Sequence, residues 1–415
     1  MLLVPALLIL LGAIYGFKWF FANSLAANAD RPDIAAAALF LSPSDPLVHS
    51  QVATFKLRSF DPSDLPVANS EFERAATLSP NDYRYWYALA RMRERSGAAA
   101  GAQAAAQRAA ELAPNYAQVL WLESNILLRQ GRRPEALAQM RRAAEADPQL
   151  AIHFVEAAAQ TLSADDAAEL PKIIGDAAPV RVALVQYLTQ TKKLDAAASV
   201  WQTLPDKEKR ETAADLATAF LNAKRYRAAL PFYQLMTTSE IEKPVLGAIL
   251  NGGFENDMAT TAANPFVWQI APGAQPQIAP FASTRHSGER SLICFFNSPG
   301  GTDFRAITQM VAVESDAAYH FETWVKTERL QAKNTVYWEI VDAADEQHVL
   351  AKTENVQSGD NDWQRLTADF KTQATSEAVI FRFARLSCPQ PPCSITGKIW
   401  FDDFTLQKTD KKTER

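Results

Sequence analysis

The side chains able to do chemistry in this chain are few, and most of them fall on two short alternating runs. In Tyr319–Lys326, the residues Tyr319, Phe321, Thr323 and Val325 alternate with His320, Glu322, Trp324 and Lys326; in Thr335–Ile340, Val336, Trp338 and Ile340 alternate with Thr335, Tyr337 and Glu339. Successive residues of a strand point to opposite faces, so if the first sets are core, the second expose Trp324 and Tyr337 beside Glu322 and Glu339. Arg382, on the run Val379–Ala384, is expected nearby. An aromatic ring flanked by polar groups grips a sugar ring in a shallow site. The plainer account of Trp324 is packing. Glu322 and Glu339 could also hydrolyse a glycosidic bond if they met at a suitable separation, but no pocket-forming signature surrounds them.

Other catalytic signatures are absent from the sequence. It has no G-x-S-x-G elbow, no H-E-x-x-H helix and no phosphate-binding glycine loop. The five histidines (49, 153, 286, 320 and 348) are scattered. Gly359–Trp363 lacks the spaced glutamate of a calcium loop and reads as the turn before a strand. Cys388 and Cys393 enclose a loop with three prolines that could hold the two sulfurs together, and a disulfide there implies an oxidising compartment. Two cysteines are too few for zinc and lack the C-x-x-C redox spacing; Cys294 reads as a small buried hydrophobe. The net charge of −5, with basic residues interspersed among acids, argues against nucleic acid.

The elements that must carry these residues change in kind along the chain. Prolines 80, 114 and 148 recur every 34 residues and each closes a similar phrase, as Pro43 does earlier. Trp86, Leu89, Ala90, Gly97, Ala102, Ala106 and Ala109 fill one period; Leu120, Ser124, Leu127, Gly131, Ala136, Met140 and Ala143 fill the next. A period of that length signals stacked helical pairs, since one pair cannot bury its apolar face alone. Small residues allow close helix approach, and Gly97 and Gly131 suit the turn inside each pair. These units resemble the tetratricopeptide repeat, most closely from Tyr83 to Pro148. Pro46–Pro80 carries an insertion near Asp61–Ser63 but keeps Ala68, Phe72 and Ala75 in register. Ile34–Leu41 reads as a lone capping helix. Residues 151–244 keep helical composition with degenerate units near Ala196/Val200 and Ala228/Phe232, so about five or six pairs are expected.

Near residue 245 the composition turns to Phe, Trp, Thr, Val and Asn with period-2 runs, which indicates an antiparallel β-sandwich. Leu250–Glu255 (Leu-Asn-Gly-Gly-Phe-Glu) opens it; Trp268, His286–Leu292, Tyr319–Lys326, Asp362-Trp363 and Ile399–Leu406 follow. That order is similar to carbohydrate-binding modules of the family 4/9 type, within the galactose-binding-like jelly rolls. The resemblance implies a structural calcium shared by Glu255 of the opening motif and Asp402 or Asp403 of the closing strand. Hard carboxylate oxygens with backbone carbonyls are what calcium requires.

The expected organisation is therefore multidomain, α then β. It runs as a membrane helix (1–29), repeats (30–150), degenerate helical repeats (151–244), a jelly-roll sandwich (245–407) and a polar tail (408–415). Leu2–Phe21 carries one charge, Lys18, and is long enough to span a bilayer. The A-x-A at Ala27–Ala29 lies well beyond the apolar run, and Trp19, Phe20 and Phe21 suit an interfacial anchor, which favours an uncleaved helix. Charge counting does not set the orientation; the cysteine pair and the sandwich suggest a bacterial inner-membrane protein with its soluble part in the periplasm. These readings point to a non-enzymatic scaffold of envelope or exopolysaccharide assembly, its repeats holding a protein and its sandwich docking glycan. The alternative is an organiser of another envelope complex with no sugar binding. A glycosidase-like enzyme is the remote third.

Overall fold

The computed structural model describes residues 3–58, 61–161, 170–258, 264–301, 303–388, 390 and 392–409; of the expected tail, 410–415 lie outside them, as do Pro389 and Pro391 of the cysteine loop. Two compact units divide between Tyr187 and Leu188.

The first unit begins with α1 (Leu3–Ala27), of which Val4–Ala27 is long and apolar enough to cross a membrane. Its last turns are not free: Ala22 and Ala26 are buried with Ala35 and Ala38 of α2 (Pro32–Leu41) and Val48 and Val52 of α3 (Pro46–Arg58). The Asn23 amide donates to Asp45 at 2.7 Å. Helical pairs follow: α3 with α4 (Asp64–Leu78), α5 (Tyr83–Arg95) with α6 (Ala99–Leu112), and α7 (Ala117–Arg129) with α8 (Arg133–Ala146). The small residues of the repeat sit in the helix contacts, with Ala90, Ala106, Ala109, Ser124, Ala136 and Ala143 all inaccessible to solvent. Gly97 and Gly131 take φ of +77° and +78°. Each closes the first helix of its pair with the same reverse hydrogen bonds, Ala98 N to Arg93 O (2.8 Å) and Arg132 N to Leu127 O (3.0 Å). Further along this unit lie α9 (Ala151–Gln160), α10 (Leu170–Ile174) and most of α11 (Ala178–Gln190).

The second unit opens with the end of α11 and with α12 (Leu194–Gln202), α13 (Asp206–Asn222) and α14 (Tyr226–Met236). The turns after α11 and α13 repeat the Gly97 geometry with lysines, Lys192 at φ +60° and Lys224 at φ +58°. Their closing bonds are Lys193 N to Leu188 O (2.8 Å) and Arg225 N to Phe220 O (2.9 Å). A lysine in the left-handed region is why these pairs fade in the sequence while keeping the repeat's turn.

Among the described residues, ten strands then form two five-stranded antiparallel sheets. They are β1 (Gln269–Ile270), β2 (Gln277–Phe281), β3 (Ser291–Ser298), β4 (Ile307–Ala312), β5 (Ala318–Ala332), β6 (Val336–Asp342), β7 (Asp345–Lys352), β8 (Gly359–Lys371), β9 (Ala378–Arg385) and β10 (Ile395–Thr409). One sheet has the order β1-β4-β9-β6-β7, the other β2-β3-β10-β5-β8. The order helices then sandwich is the one expected from the sequence. Between the sheets Trp268, Phe321, Trp338, Phe381, Phe383 and Phe401 form an aromatic core. On the outer side of the first sheet, α14 packs Tyr226 against Ala343 and Ala378, with Met310 and Ile380 alongside. The Tyr226 hydroxyl donates to Ala343 O at 2.7 Å, and Tyr233 meets Phe266 edge-on at 5.3 Å.

Candidate functional site

Core parity is as the alternating runs suggested. Tyr319, Phe321, Thr323, Val325, Val336, Trp338 and Ile340 are all buried. The opposite parity, however, does not form one face. β5 lies in the second sheet, between β10 and β8, whereas β6 lies in the first, between β9 and β7. The chain crosses between sheets around residues 333–335, so outward from β5 and outward from β6 are opposite surfaces of the sandwich. The expected grouping of Trp324, Glu322, Tyr337, Glu339 and Arg382 therefore splits in two. Glu322 and Glu339 do not converge, which removes the geometry a glycosidase pair requires.

On the first sheet, Arg382 Nε donates to Glu339 Oε1 at 2.8 Å, and Lys352 Nζ lies 3.6 Å from the other oxygen. Lys352 also sits 4.9 Å from the Tyr337 ring centroid, and Tyr337 is only 7% exposed. The arrangement is a closed ion-pair lattice over a covered ring, and it offers no free aromatic face.

On the second sheet the same parity builds something different. The His286 ring stacks on Trp324 at 4.0 Å and 14°, and Trp363 meets His286 at 5.6 Å, near edge-on. His286 comes from the loop between β2 and β3, and Trp363 from β8. With Lys326, Arg285 and Ser287 they border an open depression of about 530 Å³. Lys326 donates to Asp362 at 2.6 Å, and that bond holds the Asp362 carboxyl below the usual range. Glu322 stands beside this cluster, 3.3 Å from Arg365. His286 and Trp363 were visible in the sequence only as landmarks. No local pattern places a β2–β3 loop histidine against a β5 tryptophan.

The loop is fixed by the expected calcium residues. Asp402, fully buried, accepts from the backbone N–H groups of His286 (2.8 Å), Ser287 (3.2 Å) and Asp403 (2.8 Å). Burial pushes its carboxyl up, and those three donors oppose the shift. Asp403 binds His286 Nδ1 and the Ser287 hydroxyl, each at 2.6 Å. Both Glu255 oxygens accept from Glu289 N, at 2.9 and 3.0 Å. The opening motif closes against the last strand: Phe404 N donates to Gly252 O at 3.0 Å, and a Cβ at Gly252 would lie 2.2 Å from the Phe404 oxygen. Gly288, at φ +59°, takes a left-handed turn that favours glycine and lets the Glu255 carboxylate pack against its backbone; a Cβ there would push that carboxylate aside. Glu255 and Asp402 oxygens both lie 3.7 Å from the position of a Gly253 Cβ. Two carboxylates flanking Gly253 suit calcium in charge and hardness, and their oxygens accept from backbone N–H groups of Glu289, His286, Ser287 and Asp403. Among the described residues no three acidic, His or Cys side chains converge as a metal site. Cys388 and Cys393 are joined as a disulfide.

Residues 247–389 match the family model described as a carbohydrate binding domain. The C-terminal sandwich is thus carbohydrate-binding-module-like, and the helical pairs before it are tetratricopeptide-like. Among solved structures, the chain is similar to one described as "CBM4 structure and function", at 17% identity and TM-score 0.30 over 39% of this chain and 99% of that one. It is also similar to the CBM22-1 xylan-binding domain from Paenibacillus barcinonensis Xyn10C, at 12% and 0.28 over 40% and 96%. The helical part is similar to YrrB, a TPR protein with an unusual peptide-binding site, at 12% and 0.26 over 49% and 90%. None of these structural likenesses bears on function. Among curated proteins none matches the chain.

Proposed function

We propose that the protein is a non-catalytic, membrane-anchored adaptor of the bacterial envelope, whose sandwich binds glycan and whose helical repeats bind a protein partner. The observation that carries this reading is the outward cluster of Trp324, His286 and Trp363, bordered by Lys326 and Arg285, on a sandwich that matches a carbohydrate-binding family. One face of Trp324 is taken by His286, so Trp363 and the polar rim are the groups left to meet a sugar ring. A glycan array probed with the full chain tests it, run with calcium and with chelator. Binding should fall about tenfold or more on Trp363→Ala. Calcium, held by Glu255 and Asp402, should raise the unfolding temperature of the sandwich by pinning the loop that carries His286. A chain that ignores every glycan would favour the second reading, a structural organiser without sugar binding. The His286–Trp324 stack, which resembles packing, is what favours that alternative.

Anchoring is supported by the end of α1. Cleavage at Ala29 would remove Ala22 and Ala26 from their core and Asn23 from Asp45. Mass spectrometry of the membrane-extracted chain should recover residues preceding Ala29; a mature protein starting at Asp30 would refute the anchor. The disulfide supports placing the soluble part in the periplasm, for which exopolysaccharide assembly or export is the fitting context.

A further inference from the structure

The third repeat contains a residue that its register does not call for. Position 123 corresponds to Leu89 of the preceding unit, which is 1% exposed and part of the core. Here the chain has Glu123, itself only 5% exposed. Its Oε2 is buried and has no hydrogen-bond partner. Burial pushes the carboxyl above the ordinary carboxylate range.

Glu123 lies in a groove of about 400 Å³ between α6, α7 and α8. A second buried acceptor without a partner, Gln103 Oε1, lines the same groove. The two cations there are already engaged. Arg132 donates to Glu135 at 2.8 Å, and Arg142 donates to Gln139 Oε1 and to Pro114 O, each at 2.8 Å. The groove therefore holds two desolvated acceptors that no donor reaches within hydrogen-bond distance; Arg142 and Arg132 act on Glu123 only through their charge. An unmet buried acceptor is costly, and an ionised one more so, which makes the missing group one with several N–H donors and a positive charge. A metal fits poorly, because among the described residues no three acidic, His or Cys side chains converge.

We infer that this groove is a receptor for a basic side chain, arginine or lysine, of a partner polypeptide, with Glu123 as its counter-ion and Gln103 as a second acceptor. The inference rests on the reading of the repeats as a protein-binding surface and gives that surface a chemical preference.

The test uses the full chain and fluorescein-labelled tetrapeptides alike except for one residue: arginine, lysine, citrulline or norleucine. Polarisation should show saturable binding of the arginine and lysine peptides, with citrulline and norleucine about tenfold weaker or worse. Glu123→Gln should weaken the basic peptides to a similar degree. Glu123→Leu should abolish their binding while the chain stays folded by circular dichroism, since the preceding repeat has leucine at this place. Equal binding of arginine and citrulline peptides, or unchanged binding to Glu123→Leu, would overturn the inference yet leave the repeats as a peptide surface. Absence of binding by every tetrapeptide at about 10 mM would sink both.

Discussion

Glu123 shows how one side chain can sit against its own repeat. The unit would be more stable with leucine there, because burial disfavours the carboxylate that water would solvate. The sign follows from the raised folded-state pKa: above the ordinary carboxylate range the unfolded chain ionises freely and the folded one does so at a cost, so Glu123 destabilises the fold. In acid both states are protonated and the penalty vanishes. Glu123→Leu should therefore stabilise the helical unit by about 1–3 kcal/mol near neutral pH, with the gain shrinking as pH falls through the carboxylate range. Thermal unfolding as a function of pH measures this, and a gain independent of pH would mean that leucine packing alone accounts for it. Glu322 and Glu339 make the opposite point. They look equivalent along the chain, yet one lies against Arg365 on an open surface, and the other is buried under Arg382 and Lys352.

At the scale of elements, turns and closures decide what the side chains can do. The Gly97 and Gly131 turns are readable because glycine marks a left-handed residue; the matching Lys192 and Lys224 turns are not, because lysine carries no such signal. In the sandwich, Leu250–Glu255, the 283–290 loop and Asp402–Phe404 form one clasp. It holds His286 over Trp324 and thereby shapes the candidate sugar site. Gly252→Ala drives a Cβ into the Phe404 carbonyl, a backbone atom that cannot swing away. It should destabilise the sandwich by about 3 kcal/mol and disturb the His286–Trp324 stack. Unfolding monitored by tryptophan fluorescence reads both effects. An unchanged transition would show that the clasp is not what closes the domain.

For the molecule as a whole, the change in composition near residue 245 separates helix from strand, whereas the compact units divide between Tyr187 and Leu188. The physical reason is on the outer side of the β1-β4-β9-β6-β7 sheet, where α14 covers Ala343, Ala378, Met310 and Ile380 and Tyr226 bonds to Ala343 O. Removing residues 188–244 would bare that apolar patch and leave a buried carbonyl open to water. A fragment of 188–409 should thus melt several degrees above one of 245–409, since about 1 kcal/mol shifts a domain of this size by roughly 2–4 °C. Equal melting temperatures would mean that α14 only rests on the sheet.

By itself the amino-acid sequence determined whatever is periodic or continuous along one segment: the 34-residue repeat with its alanine contacts, the apolar N-terminal stretch, and which residues of Tyr319–Lys326 and Thr335–Ile340 face the core. Hydrophobic periodicity is local, so it survives reading along the chain. Only the tertiary structure decided which outward residues meet. The crossing between sheets near residue 334 sent Trp324 and Tyr337 to opposite surfaces, and a distant loop set His286 against Trp324, with Trp363 of β8 beside it. Neither event leaves a periodic trace, because sheet membership and contacts between distant segments are set by how the strands pair, not by the pattern along one strand.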